Sequence, residues 1–506
     1  MIRKISTLTA VFAALCVSLC GCSDYLDVNH DPNALEKIPD PKVLLPAAEI
    51  CVANNLMGWD FGFGGGFWSE YWTQSYSASQ FKALCEYQPN GFNNAYQSLT
   101  REALTDLTRI KTQTANDENK GYLFVAEALS IFTWQIVTDV WGDMPYSEAL
   151  RGDEGLVAPK QDKGEEIYAD LLKRIDALLD IDLSRSSIDG KYDYVYNGDL
   201  DAWHRFAAAL KVKLSLRVSE TSSYDNAALL RFIEGAELLA ASAKIPGTVW
   251  NDDMEGKRHP MREFQAGGAN YLSQNVIGCK NFVDYLKINA DPRLAKLFSG
   301  GDRGAFFGDF DSKEDSDGNG TVDASESYCT PAFAGNSDLM LMSEWEVNFN
   351  VAEAHARAGQ TDKAKARYEA GVKASLKQNG ISDFSIVETG YAKWTDGLST
   401  EGNIRQIALQ RWVANCNYQH IESFLERNRT KYPPVNEIDI KANRREAFLN
   451  FPAGSLTLSV NGRTMLNGNL PASPLYPDGY VFRNPNAPQQ KPNVGQKVWW
   501  NKKQGK

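Results

Sequence analysis

Apolar residues recur at three- and four-residue spacing along much of this chain, in stretches 99–110, 122–140, 165–179, 203–218, 227–243, 340–358, 363–377 and 404–412. That period lays one apolar stripe along a helix and does not fit a half-buried strand, whose side chains alternate. Alternation is confined to 455–460, where a small hairpin is expected. With 506 residues the chain exceeds what one hydrophobic core usually organises, so its helices must divide into domains or stack as repeats. The predicted class is all-α with little β.

The pair 345–358 and 361–372 indicates how such helices stack. Ala354 and Ala356 on the first and Ala364 on the second are small enough for close approach, Gly359 permits the turn, and Tyr368 fills the groove. This is tetratricopeptide logic, although any helical hairpin needs small residues and a turn glycine. Further pairs are expected from 123–140 with 164–179, and from 203–218 with 227–243. Between them lie long segments without helical period, at about 54–96, 244–282, 299–338 and 378–402. Long irregular insertions in an ordered chain usually bind something.

Arg3 and Lys4 precede an apolar run from Leu8 to Cys20, the pattern of a secretory signal over residues 1–21. Gly21-Cys22 follows, as in a bacterial lipobox, so Cys22 is the expected lipidation site and 22–41, punctuated by proline, the expected tether. Residues 42–506 are expected to form a single domain. Beyond Cys22 the cysteines are Cys51, Cys85, Cys279, Cys329 and Cys416, without metal-ligand spacing, and are read as scattered buried thiols. Acidic residues outnumber basic ones, 64 to 53, which argues against nucleic acid as a partner.

Composition matters for the insertions, because the chain holds 12 Trp, 21 Tyr and 23 Phe but only 5 His. Aromatic faces stack on the C–H faces of sugar rings while amides and carboxylates bond the hydroxyls. Trp59, Phe63, Tyr76, Phe81 and Tyr87, at loop edges of the first insertion, are candidate ligand rings, as are Trp250, Tyr271 and Trp394 in later ones. Trp141, Trp203, Trp345 and Trp412 fall on helical period and are expected in the core. No HExxH, GxSxG, Walker A or dinucleotide fingerprint occurs, and the histidines are scattered, so no catalytic role is expected. A glycosidase needs only two carboxylates across a cleft, which leaves a hydrolase as a minor alternative.

Asp315, Asp317, Asn319, Thr321, Asp323 and Glu326 match positions 1, 3, 5, 7, 9 and 12 of a calcium loop, with Gly320 at 6. The segments on either side do not read as helices. A structural Ca2+ clip, rather than a sensor, is the expectation.

In order along the chain, Asp31-Pro32-Asn33, Leu44-Leu45-Pro46-Ala47-Ala48-Glu49, the block from Thr138-Asp139-Val140-Trp141-Gly142-Asp143 to Ala149, Tyr196-Asn197-Gly198-Asp199 with Trp203, Leu210-Lys211 through Arg217, Asp291-Pro292-Arg293-Leu294, the 345–359 helix, Gln410-Arg411-Trp412, Arg429 to Pro433 and Val498-Trp499-Trp500 resemble the SusD/RagB family of outer-membrane lipoproteins, in particular its second SusD-like branch. Leu475-Tyr476-Pro477-Asp478-Gly479 departs from the family pattern, lacking its Arg and Glu. The resemblance implies tetratricopeptide-like pairs packed against a loop-rich half that carries the ligand site. It also implies a lipid-anchored, surface-exposed outer-membrane protein that captures oligosaccharide, or in some members peptide. The captured ligand would pass to a SusC-like TonB-dependent barrel. A protein-interaction scaffold without ligand is the competing reading of the helical pairs alone.

Overall fold

The computed structural model describes residues 40–266, 270–311 and 313–506. The expected signal peptide, Cys22 and nearly all of the tether lie outside these residues. From Pro41 onward the chain forms one compact, mainly helical unit.

Its centre is the helix Gly121–Trp141, the one among the described residues long and apolar enough to cross a membrane, here buried within the protein. A helix apolar on all sides must be enclosed. Helices Pro41–Leu56, Leu104–Thr114, Gly164–Leu179 and Leu200–Arg217 enclose it. A second stack pairs Glu344–Arg357 with Thr361–Gln378, against which Thr400–Asn415 packs. Here the expected hairpin logic is visible in atoms. Gly359 turns at φ +71°, and a Cβ on Gly371 would lie 2.8 Å from the Phe349 ring, so only glycine allows this approach.

Two expected helices end differently. The 227–243 period yields a helix only over Asn226–Gly235, and its last residue enters a strand, Ala243–Ile245. That strand pairs antiparallel with Leu339–Met342, the start of the stretch read as helix 340–358. A short, wholly buried apolar strand carries no alternation and imitates a helix. Ser343 then starts the true helix by accepting the amide of Glu346 at 3.1 Å. The hairpin expected at 455–460 is instead a parallel pairing of Leu456–Thr457 with Val435–Asn436.

Several of the residue blocks that carried the family resemblance converge on one buried ionic network. Arg217, 1% exposed, reaches Asp139 at 2.8 Å, Glu422 at 2.6 Å and Glu426 at 2.5 Å. Lys213 bridges Glu346 and Glu422 at 2.8 Å each. Arg429 holds Glu353 and Glu426 at 2.6 Å each, and Arg411 also pairs with Glu426. These groups tie five helices together, Gly121–Trp141, Leu200–Arg217, Glu344–Arg357, Thr400–Asn415 and His420–Thr430. Burial disfavours the ionised Glu353, but the Arg429 and Arg357 guanidiniums outweigh it and hold its carboxyl down at about 2. A carboxyl held below its unfolded value of about 4.3 adds stability above that pH and loses it as the pH falls toward the folded value. Asp139 and Glu346, raised chiefly by burial, titrate the other way. The prediction is therefore made on a difference: the stability gap between wild type and Glu353→Gln, measured by urea titration, narrows between about pH 5 and pH 3.

Candidate ligand-binding site

The first insertion reaches the site through glycine. Residues Trp59–Phe63 form a π-helical turn continuing into Gly64–Trp68, which packs on His420–Thr430. A Cβ on Gly65 would stand 2.5 Å from the His420 backbone, and one on Gly64 would stand 2.4 Å from the Phe92 ring. His420 fastens the contact, donating from Nδ1 to the Gly62 carbonyl at 2.7 Å while Nε2 accepts the Asn417 amide at 2.8 Å. Burial holds this imidazole neutral, lowered to about 4.

So anchored, the turn presents Trp59. Its ring, half-buried, is a hub within 5.2 to 5.6 Å of Phe63, Phe81, Phe264 and Tyr271. Phe63 and Phe81 stack beneath at 4.5 Å. Trp59, Phe264 and Tyr271 remain partly exposed, and Phe63 and Phe81 are buried as their floor. Two insertions meet here because Trp72–Gln74 pairs antiparallel with Val276–Gly278. Gln74 Oε1 accepts the Phe81 amide at 2.7 Å, and Asn275 Oδ1 the Gln80 amide at 3.1 Å, fixing both flanks. Beside Trp59 opens a cavity of about 190 Å3, lined also by Asp60, Gln80, Phe81 and Asn90. Below the 300 Å3 usual for a drug-sized ligand, it can seat part of a larger molecule lying across the surface.

The other expected ligand rings fare differently. Tyr87 is interior, 1% exposed, its hydroxyl accepting the Ser459 amide at 3.0 Å. Trp394 is 2% exposed and packs on Tyr368 at 5.3 Å within the second core. Neither can offer a face to a ligand, and both are corrected to core residues, as are Phe63 and Phe81, 1% and 4% exposed, which support the Trp59 ring from below. The 378–402 insertion folds inward because Tyr368 donates to the Ala392 carbonyl at 2.8 Å. Trp394→Phe is expected to cost about 1–2 kcal/mol in urea unfolding, without changing ligand affinity. Trp250, half-buried, donates to the Ser337 carbonyl at 3.1 Å and, among the described rings, is linked to the Trp59 cluster through His259, Phe333, Trp72 and Phe63. Tyr76, half-buried, pairs with Tyr328 at 5.3 Å as a separate patch.

Phe264 belongs to the hub although the sequence singled out no ring between Trp250 and Tyr271. Its helix, Pro260–Ala266, is seven residues long, too short for a period to mark which side faces Trp59. Also unforeseen is a second concavity of about 410 Å3, walled by Tyr96, Trp134 and Tyr480 with Arg101 and Arg483 at its rim. The loop that departed from the family pattern forms one of its sides through Pro477 and Gly479. The five described cysteines are free thiols, four of them buried.

A mainly helical scaffold thus presents a partly exposed ring cluster on which a flat apolar face could stack. The chain belongs to the SusD-like family described as "Starch-binding associating with outer membrane", whose model matches residues 32–449. Proteins of this family are non-catalytic binders of the outer membrane. Similar folds include a SusD homologue from Bacteroides uniformis ATCC 8492, 20% identical with a TM-score of 0.69, covering 91% of this chain and 99% of that one. A chitin-binding SusD homologue from Flavobacterium johnsoniae is 18% identical with a TM-score of 0.70, covering 90% and 98%. A SusD homologue from Bacteroides thetaiotaomicron VPI-5482 is 19% identical with a TM-score of 0.69, covering 92% and 100%. No curated protein sequence matches.

Proposed function

We propose that this chain captures glycan at the outer membrane through the face formed by Trp59, Phe264 and Tyr271, and passes it to a SusC-like TonB-dependent barrel. The observation that carries this reading is the Trp59 hub, a partly exposed aromatic surface held rigid from below and flanked by Asp60, Gln80 and Asn90. A sugar ring stacks on such a face with little loss of side-chain freedom, because packing has already fixed the rings. The neighbouring amides and carboxylate bond its hydroxyls. The family's description and the chitin-binding relative support a polysaccharide over a peptide. Lipid on Cys22 would tether the protein beside the barrel.

Calorimetry against soluble starch, chitin oligosaccharides, other polysaccharides and mixed peptides tests the ligand class. Binding to at least one glycan is expected. Binding to peptides alone overturns it. Co-purification of a TonB-dependent barrel with the tagged protein tests the delivery step.

A further inference from the structure

The 315–326 loop has an electrostatic demand that its own residues do not meet. The loop carries four carboxylates, Asp315, Asp317, Asp323 and Glu326, and the last three lie within 4.0 Å of the Arg303 guanidinium. Arg303 reaches Asp317 at 2.7 Å and Glu326 at 2.6 Å and lies 4.0 Å from Asp323. The neighbouring Arg444 is committed to Asp309 and Glu314, and Arg445 Nε lies 3.4 Å from where a Cβ on Gly318 would stand. Asp323 is wholly buried, with Oδ1 held by the Ser316 amide and hydroxyl at 3.3 and 3.1 Å and with Oδ2 unpartnered. A buried carboxylate oxygen without a partner is costly, and Arg303 Nε and Nη2, buried beside it, also make no well-formed hydrogen bond, so the guanidinium fills the charge without satisfying the geometry of the site.

The backbone is already wound for an ion. Asp315 accepts the amides of Asn319 at 3.1 Å and Gly320 at 2.9 Å, and Gly320 sits at φ +87°, the left-handed turn this position requires. Glu326, at the far end, is drawn to Asn319 at 3.0 Å, which closes the ring of prospective ligands. Among the described residues no three His, Cys, Asp or Glu side chains form a ready cage. Arg303 explains this, because its guanidinium lies between the carboxylates that would have to converge.

We propose that this loop is a calcium site for which Arg303 competes, and that exchanging guanidinium for cation resets the Tyr76–Tyr328 ring pair beside it. The ligands would be the side chains of Asp315, Asp317, Asn319, Asp323 and Glu326 and the Thr321 carbonyl, a hard oxygen set suited to calcium. The coupling runs through contacts: Arg303 stands 5.2 Å over the Tyr328 ring, Tyr328 Oη reaches Glu326 at 3.4 Å, and Tyr328 packs at a tilt against Tyr76, 5.3 Å between ring centres. Displaced from the carboxylates, Arg303 keeps only its ring contacts with Tyr328 and Phe448. The site does not depend on the glycan reading, since its test contains no sugar.

Calcium chloride titrated by calorimetry into chelator-treated full-length protein is expected to bind at one equivalent and to raise the melting temperature. Glu326→Gln is expected to weaken binding at least tenfold and lose the thermal shift. Arg303→Met, and more mildly Arg303→Lys, should tighten calcium binding, which a merely structural arginine would not do. Hydrogen exchange at residues 74–80 and 326–329 should slow on adding calcium. Absence of calcium binding to the wild type, or no tightening in either Arg303 variant, overturns the site. Binding that leaves exchange at 74–80 unchanged overturns the coupling.

Discussion

Replacing Arg217 with methionine is expected to lower the stability of the folded chain by about 3–5 kcal/mol, read from urea unfolding, because it removes one partner from a buried ionic network. Arg217 contacts three carboxylates on two other helices, all in the interior. Without it Asp139 keeps only the neutral donors Tyr168 and Gln135, while Glu422 and Glu426 share the remaining cations. Such charges cannot return to water without opening the helix stack. Exposed pairs behave otherwise. Lys163, 66% exposed at its side chain, meets Asp143 at 2.9 Å, and Lys163→Met should cost under about 1 kcal/mol. The network also matters to the site, since Glu422 and Glu426 lie on the helix against which the 64–68 turn rides. Arg217→Met should therefore speed hydrogen exchange at 59–68 as well as within the helices.

The second large effect falls on ligand capture. Trp59→Ala is expected to weaken glycan binding by about thirty-fold or more, equivalent to about 2 kcal/mol, the size typical of a central aromatic hot spot. The loss has two sources: the stacking face itself, and the packing that holds Phe264 and Tyr271 beside it at 5.6 and 5.2 Å. Trp59→Phe keeps part of both and should lose less. Trp250→Ala, acting on a ring linked to the cluster through intermediaries, should leave affinity unchanged. An equal loss in both alanine variants would place the ligand across a wider surface than the Trp59 hub.

How far the sequence could reveal this is best seen at particular residues. The helices at 121–141, 164–179, 200–217 and 361–378 were legible because each carries several turns of apolar period. His420–Thr430 was not, since His-Ile-Glu-Ser-Phe-Leu-Glu-Arg-Asn-Arg-Thr reads as a solvated surface. It is wholly buried because its charges find partners on three other helices, through Arg217, Glu353 and Arg411, which only long-range pairing reveals. The family blocks were recognisable as strings, and the structure gives several of them a physical reason: Asp139, Arg217, Glu353, Arg411 and Arg429 are the charges of that network. At the site, Trp59, Phe63, Phe81 and Tyr271 were named in advance and meet in one cluster. Tyr87 and Trp394 were equally good aromatics in equally irregular insertions. Composition does not distinguish a loop that folds inward, as 378–402 does, from one that stays at the surface.

The central claim is that the Trp59 face, and not another concavity, receives the ligand. Hydrogen exchange with and without a saturating glycan tests it most directly. The account predicts slowed exchange at 59–63, 80–84 and 260–275, with 96–101 and 477–484 around the Tyr480 cavity unaffected. Protection confined to the Tyr480 cavity, with none at Trp59, would contradict it.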